Sequence, residues 1–516
     1  MQFIQAPIIE REYIGVNDNL PPEQLPKGFF KKADNVFVFD NKIEKVFGST
    51  AIAASIDTKA FNGLGSFENL TSGNKYLVAN INGASVSQAY SWNGSGTFSA
   101  ITGLTSTNSN PMWFETANNY IFGVDGINVW DWDGTTATKN RAGVPVGTTL
   151  SWFHNYLFNA GVLTYPNRLY WSNLGDPTTY AGANLVDINP GDGDKIMTLA
   201  RTQDELLVLK RNTIWSITGF SGATFSATTI AAQNTNNRII GYGIIAPFSA
   251  ISTGNDVYFL SYLGDVPVIR SVKKTMFATT LSGGIISHEI EGTMSLINKT
   301  YLSGITGIYD GRFCYWSIPV NSSTTNNCII VLDTFGIKRV KGKTVYPWTT
   351  MTGKNATYFA LSTISGSAVI YYAETGTTGL VIKFDKSLYS DKGSAIAIDV
   401  INRSFMPDPA RKQHWKYLYN RVATGVTSTV TVKARVDEAT DYTTQGTISL
   451  ASSSRTLGSF VLGTDVLTGT STKRSRINFA GMVGKNISVE YTESSTSAVT
   501  IYDQEFYYIS KGLRGS

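Results

Sequence analysis

At 516 residues the chain exceeds the roughly 250–300 at which a single core stops growing, so its length implies one large repetitive domain plus at least one more. Gly at 48, aromatics at 12% and charged residues at only 16%, with abundant Ser and Thr and no long runs of helix formers, are the balance of an all-β protein. A net charge of +5 spread over this surface gives no general argument for nucleic-acid or membrane binding, and two cysteines exclude a disulfide framework.

Residues 1–32, with Pro7, Pro21, Pro22 and Pro26 and little periodicity, read as an extended N-terminal arm. The first residues lack a basic region followed by an apolar core and cleavage site, and no run of about 18 apolar residues occurs. The expectation is a soluble protein made in the cytoplasm without a secretory signal or membrane-spanning segment. Next, Val36, Val38, Phe37 and Phe39 meet Ile43, Val46 and Phe47 across an Asp40-Asn41 turn, which predicts a hairpin.

From about residue 60 to 385 the chain is a series of short strands joined by Asn-Gly or Asp-Gly turns at Asn62, Asn82, Asn93, Asp125, Asp133, Asp192 and Asp310. Both residues of such dipeptides take positive φ readily, as a type I′ turn requires. Apolar strands begin near Tyr76, Tyr120, Tyr156, Leu206, Val257, Arg312 and Val369, at spacings of about 36 to 57 residues. That spacing resembles the period of propeller blades. The predicted fold is therefore an all-β, irregular β-propeller of six to eight blades over residues 33–394, with stacked β-sandwiches as the alternative. Ile286, Ile290, Met294 and Ile297 recur at helical spacing and predict a short amphipathic helix inside it. A hairpin centred on Asn321 sets Cys314 opposite Cys328, a pairing that a reducing compartment opposes. Residues 395–516 change character, with a strictly alternating strand at Thr429–Val436, and read as a C-terminal β-sandwich or platform module.

Candidate sites are few. His154, His288 and His414 lack partners at metal-ligand spacing, and the common hydrolase and phosphate-binding signatures are missing, so no catalytic residue, metal or cofactor is assigned and the chain is expected not to be an enzyme. Paired glycosidase carboxylates lie far apart in sequence and escape such a search. Asp125, Asp131 and Asp133 offer oxygen ligands on a turn, which suits calcium, yet hairpin turn chemistry accounts for them without a metal. Basic clusters occur at Lys31-Lys32, Lys273-Lys274, Lys338 to Lys343 and Lys473 to Arg476. Lys338, Arg339, Lys341 and Lys343, four cations within six positions on an exposed turn, are the best candidates for attracting phosphate, with solvated loop charge as the alternative for any one cluster.

Five segments, in this order, resemble the tail nozzle proteins of short-tailed bacteriophages, also called tail tubular protein B or packaged-DNA stabilisation proteins. They are Asn35–Gly48; Asn167–Pro177; Ile240–Pro247 leading into Asp256–Ser261; the helix followed by Tyr309–Pro319; and Pro409–Tyr419 before a Val-rich strand. The resemblance implies a β-propeller with a β-rich platform that assembles as a homo-oligomeric ring, a hexamer, in the virion tail. Such a ring sits below the portal and adaptor proteins, continues the channel for double-stranded DNA, retains the packaged genome and carries tail fibres or spikes. Inward-pointing blade loops would then gate the channel. The long Ser/Thr-rich tail after about residue 440 departs from the family's pattern. The alternative is a carbohydrate-binding or carbohydrate-cleaving β-propeller, since 10 Trp and 26 Tyr offer rings for stacking on sugars, although most sit within strand patterns.

Overall fold

The computed structural model describes residues 4–83, 86–107, 109–218, 226–229, 242–276, 282–340, 342–376, 378–437, 439–451 and 472–510, with only the backbone at 226–229. Among these residues seven antiparallel blades follow one another along the chain. Blade 1 runs Phe61–Glu68, Lys75–Asn82, Ser87–Trp92, Ser99–Ser106, and blade 2 runs Trp113–Ala117, Tyr120–Val124, Val129–Trp132, Ala137–Lys139. Blade 3 is Thr149–Phe153, Tyr156–Val162, Tyr165–Trp171, Leu185–Asp187, and blade 4 is Ile196–Arg201, Leu206–Lys210, Ile214–Thr218, Ser226–Thr229. Blade 5 has three strands, Ile251–Ser252, Val257–Leu263 and Val266–Ser271. Blade 6 is Thr306–Tyr309, Phe313–Ile318, Cys328–Asp333, Trp348–Thr352. Blade 7 takes Ala356–Ser362, Val369–Glu374 and Val381–Asp385 from the middle of the chain and its outer strand, Gly48–Ala51, from near the start. The first strand of each blade adjoins the first strands of the blades before and after it, and that of blade 7 returns to blade 1, so the ring is closed. The fold is a seven-bladed β-propeller.

The reason these sequences form blades lies in two-sided burial. Side chains alternate across a strand, and each blade is covered on both faces by its neighbours, so its central strands are apolar at successive positions rather than at every second one. In Phe313–Ile318, Cys314 and Trp316 face blade 5 with Leu260 and Ile269, while Tyr315 faces blade 7 with Ile370 and Tyr372. Each of the seven seams has its own apolar cluster, for example Phe67, Ile101, Trp130 and Trp132 between blades 1 and 2, or Phe158, Trp171, Leu206 and Val208 between blades 3 and 4. The predicted helix forms as two short turns, His288–Ile290 and Glu291–Ser295, with Ile286, Ile290, Met294 and Ile297 all buried.

The C-terminal module is a sandwich. One sheet joins Thr500–Ser510, Gln413–Ala423 and Thr472–Asn478. The other joins Ser394–Asn402, Ile487–Ser495, Thr429–Val436 and Thr443–Ser449. Between them lie Trp415, Leu418, Val430, Val432, Tyr491 and Phe506, all buried. The N-terminal residues build this module too: Ile8–Glu10 pairs with Thr500–Ser510, and Phe29–Asp34 lies between blade 6 and Ser394–Asn402. The hairpin of Val36–Phe39 and Lys42–Lys45, set in the propeller by the sequence reading, hydrogen-bonds to Thr500–Ser510, where its alternating face finds a sheet edge. Its Asp40-Asn41 turn has φ of 48° and 57°, as a type I′ turn requires. One continuous fifteen-stranded sheet therefore runs from blade 6 through the sandwich to blade 7.

The cysteine pairing is corrected. Cys314 lies opposite Leu332 and Cys328 opposite Ile318, so the hairpin turns about Ser323 rather than Asn321. Both cysteines are free and buried.

Candidate functional site

Two places combine exposure with chemistry: the propeller axis and the basic hairpin. The axis is lined by the first strands of the blades. Just before blade 5 the short turn Pro247–Ser249 carries Phe248 inward, where its ring stacks on Trp113 of blade 2 at 5.1 Å and meets Tyr358 of blade 7 edge-on at 5.4 Å. Three blades thus hold one aromatic plug. Farther along the same strands Glu115 of blade 2 pairs with Arg201 of blade 4 at 3.2 Å and accepts the Trp152 N–H of blade 3 at 2.9 Å. Burial pushes the Glu115 carboxyl above its ordinary range, against the pull of Arg201 and that N–H.

A cleft of about 460 Å³ opens beside Phe248. Its walls come from the segments entering the first strands (Pro111, Thr148, Lys195, Pro247) and from the turns between the second and third strands of blades 2 and 3. In an antiparallel blade these segments meet at one end of the ring. The two turns present Ile127 and Leu163, which are 57% and 87% exposed, as apolar lips. Lys195 stands at the rim with no ion-pair partner among the described residues. Such a cleft holds an apolar or amphipathic group and offers one cation to orient it.

The basic hairpin consists of Lys338–Val340 and Lys343–Val345. Lys338, Arg339 and Lys343 are exposed and form no ion pair among the described residues; Lys341 lies outside them. Val340 and Val345 anchor the hairpin in a small apolar cluster with Ile14, Leu25 and Phe29 of the N-terminal segment. The anchoring leaves the cations facing solvent.

The other clusters are engaged. Lys31 donates to the Asp18 and Leu20 carbonyls, and Lys32 pairs with Asp399 at 2.6 Å and Asp34 at 3.2 Å. Lys274 lies over the Tyr346 ring at 4.5 Å. The aspartates weighed for calcium are separated in role: Asp125 accepts the Ile127 and Asn128 N–H groups, Asp131 is held bidentately by Arg141, and Asp133 caps Thr135 and Thr136. No group of three or more metal-ligating side chains occurs among the described residues. His154 sits in the tight turn of blade 3 with φ 47°, His288 opens the helical turn with its pKa lowered by burial, and His414 lies on Gln413–Ala423. No helix is long and apolar enough to cross a membrane among the described residues. Sequence reasoning missed Phe248 and the axial cleft, because their parts come from five blades and no local pattern joins them.

No family model and no curated protein matches this chain in sequence. Among solved structures, similar chains are the dihydro-heme d1 dehydrogenase NirN, at 12% identity and TM-score 0.31, and an exo-β-1,3-galactanase from Phanerochaete chrysosporium, at 10% identity and TM-score 0.22. The first match covers 64% of this chain and 63% of the dehydrogenase, less than two thirds of its length; the second covers 89% of this chain and all of the galactanase chain. Both proteins are enzymes, so the expectation that the chain is not an enzyme finds no support among them and is withdrawn. Similarity this low carries no activity over to it.

Proposed function

We propose that the chain is a ring-forming subunit of a short-tailed phage tail nozzle, which extends the DNA channel below portal and adaptor, retains the packaged genome and carries fibres or spikes. The observation that carries this reading is the hairpin Lys338–Val345, which holds unpaired cations on an anchored two-stranded support. Fixed cations of this kind attract duplex phosphate through counterion release, and a ring multiplies a modest patch by its copy number. The architecture adds support, since the propeller and the platform share one continuous sheet. Phe248 fills the propeller's own axis, so in this reading the duplex passes between copies around the ring axis.

The test is negative-stain microscopy with light scattering on the purified chain alone and after mixing with a candidate adaptor ring. Rings with a central hole are the expected product of mixing. A chain that stays monomeric and ignores the adaptor overturns the proposal.

A second reading, a carbohydrate-binding or carbohydrate-cleaving propeller, is favoured by the cleft beside Phe248. It is checked by a glycan array and a reducing-end assay on the same preparation, with loss of signal in Leu163→Asp as the expected result. Signal unchanged in that variant would move the sugar site elsewhere.

A further inference from the structure

The outer face of one sandwich sheet carries an ordered array of tyrosine and arginine. On Gln413–Ala423 the side chains of Tyr417, Tyr419 and Arg421 alternate with Leu418, Asn420 and Val422, which are buried at 0% exposure. The first three therefore share the solvent side. Register places Tyr507 beside Tyr417, Arg476 beside Tyr419, and Arg474 beside Arg421. The Arg474 guanidinium lies over the Tyr419 ring at 3.9 Å and that of Arg476 over Tyr417 at 4.3 Å, while Tyr417 stacks on Tyr507 at 4.7 Å. Arg474 also donates to the Tyr507 hydroxyl at 3.1 Å.

These contacts hold the guanidinium groups in place, so that binding them costs little further entropy. Two carboxylates share the face: Asp503 meets Arg421 at 3.1 Å and Arg11 at 3.8 Å, and Glu505 meets Arg474 and, at 3.5 Å, Arg11. Four guanidinium groups against two carboxylates leave an excess of two positive charges. Arg476 has no carboxylate partner among the described residues.

We infer that this Tyr/Arg face is a docking surface for a second protein, one that presents carboxylate side chains to Arg474 and Arg476. Three features select that occupant. The array is rich in the two residue types that dominate binding hot spots. The rings of Tyr417 and Tyr419 are covered by guanidinium groups, so they are not platforms for stacking the bases of a single strand. Asp503 and Glu505 repel a uniform polyanion such as a nucleic acid but suit a protein surface of mixed charge.

The experiment uses the whole purified chain and two fluorescein-labelled probes at low ionic strength, a glutamate-rich peptide that also carries lysines and an oligothymidine strand, read by anisotropy. The peptide is expected to bind more tightly than the oligonucleotide. Arg474→Glu combined with Arg476→Glu weakens it by about tenfold or more, and Tyr419→Ala, which leaves every charge in place, weakens it by about threefold. Lys338→Glu with Arg339→Glu, on the separate basic hairpin, leaves peptide affinity unchanged. Unaltered thermal melting shows that each variant is folded. The inference is overturned by a peptide that does not bind, by equal affinity in the charge-reversed variant, by tighter binding of oligothymidine, or by loss of peptide binding on mutating the hairpin. Self-association of the wild type that disappears in the charge-reversed variant also overturns it, because the face then serves a second copy of this chain.

Discussion

The seams between blades and the junction between propeller and sandwich are fastened differently. A seam is packed mainly by apolar side chains, as where Phe122, Val124 and Val129 of blade 2 meet Leu150 and Leu157 of blade 3. The junction adds buried polar links to the apolar cluster that runs from the seam of blades 5 and 6 into the sandwich. On its sandwich side, Lys45 of the N-terminal hairpin and Glu493 pair at 2.8 Å with 0% and 1% exposure; Lys45 also donates to the Ser495 carbonyl, and the second Glu493 oxygen accepts from Ser428. Buried Lys354 reaches Asp391 at 2.9 Å, and Asn35 ties Thr352 of blade 6 to the Ala397 carbonyl of the sandwich. Apolar packing rewards area and shape and tolerates small slips, whereas a buried ion pair is satisfied in one register only. The seams thus supply cohesion, and the junction fixes where the platform sits on blades 6 and 7.

The contrast breaks most sharply at Trp316, which fills the seam of blades 5 and 6 and donates its indole N–H to the Ser249 carbonyl at 2.9 Å. Trp316→Ala is expected to cost about 3–5 kcal/mol in a denaturant titration. Glu493→Gln leaves Lys45 buried and uncompensated and is expected to cost a similar or slightly smaller amount, about 3 kcal/mol. The informative partner is Lys45→Met with Glu493→Leu, which should regain most of that loss. In this double variant the amides of Phe29–Asp34 should nonetheless exchange faster with solvent than in the wild type. If it is as unstable as Glu493→Gln, the junction works by cohesion after all.

Glu289, beside the seam of blades 5 and 6, sharpens the comparison by pH. Burial pushes its carboxyl up to about 7, opposed by backbone N–H groups and Lys274. Between pH 4.5 and about 7 the unfolded chain has released this proton while the folded chain retains it. Stability therefore falls as pH rises through that window and levels off above it. Glu289→Gln should flatten the profile by on the order of 2 kcal/mol, compared by denaturation midpoints at the two ends. The smallest effect is expected on the exposed hairpin, where Lys338→Glu with Arg339→Glu should change stability by under about 0.5 kcal/mol per site. In the same variant, salt-dependent retention of duplex DNA should drop.

Much of the propeller was legible. The seven strand starts near Tyr76, Tyr120, Tyr156, Leu206, Val257, Arg312 and Val369 fall within a residue of the second strands of blades 1 to 7. Those strands stand out because each is covered by hydrogen-bonded neighbours on both edges and by other blades on both faces, which demands the most apolar sequence. The helix was legible for a related reason, since Ile286, Ile290, Met294 and Ile297 point one way only in a 3.6-residue repeat. Pairings between distant segments left no local trace. Nothing in Asn35–Gly48 says that its hairpin pairs with Thr500–Ser510, or that Gly48 leads into the outer strand of blade 7. The Tyr/Arg face was half visible: Lys473 to Arg476 stood out as a basic cluster, but only register across two strands sets it beside Tyr419 and Arg421.

The outer strand of blade 7 has a consequence for how the protein is made. Gly48–Ala51 leaves the ribosome early, yet its partner Val381–Asp385 lies more than 300 residues downstream. Throughout most of synthesis the nascent chain therefore carries an open-ended arc of blades whose first and last apolar faces are bare. Folding unit by unit from the N-terminus, the usual route for long chains, builds the arc but cannot close it until Val381–Asp385 has been made.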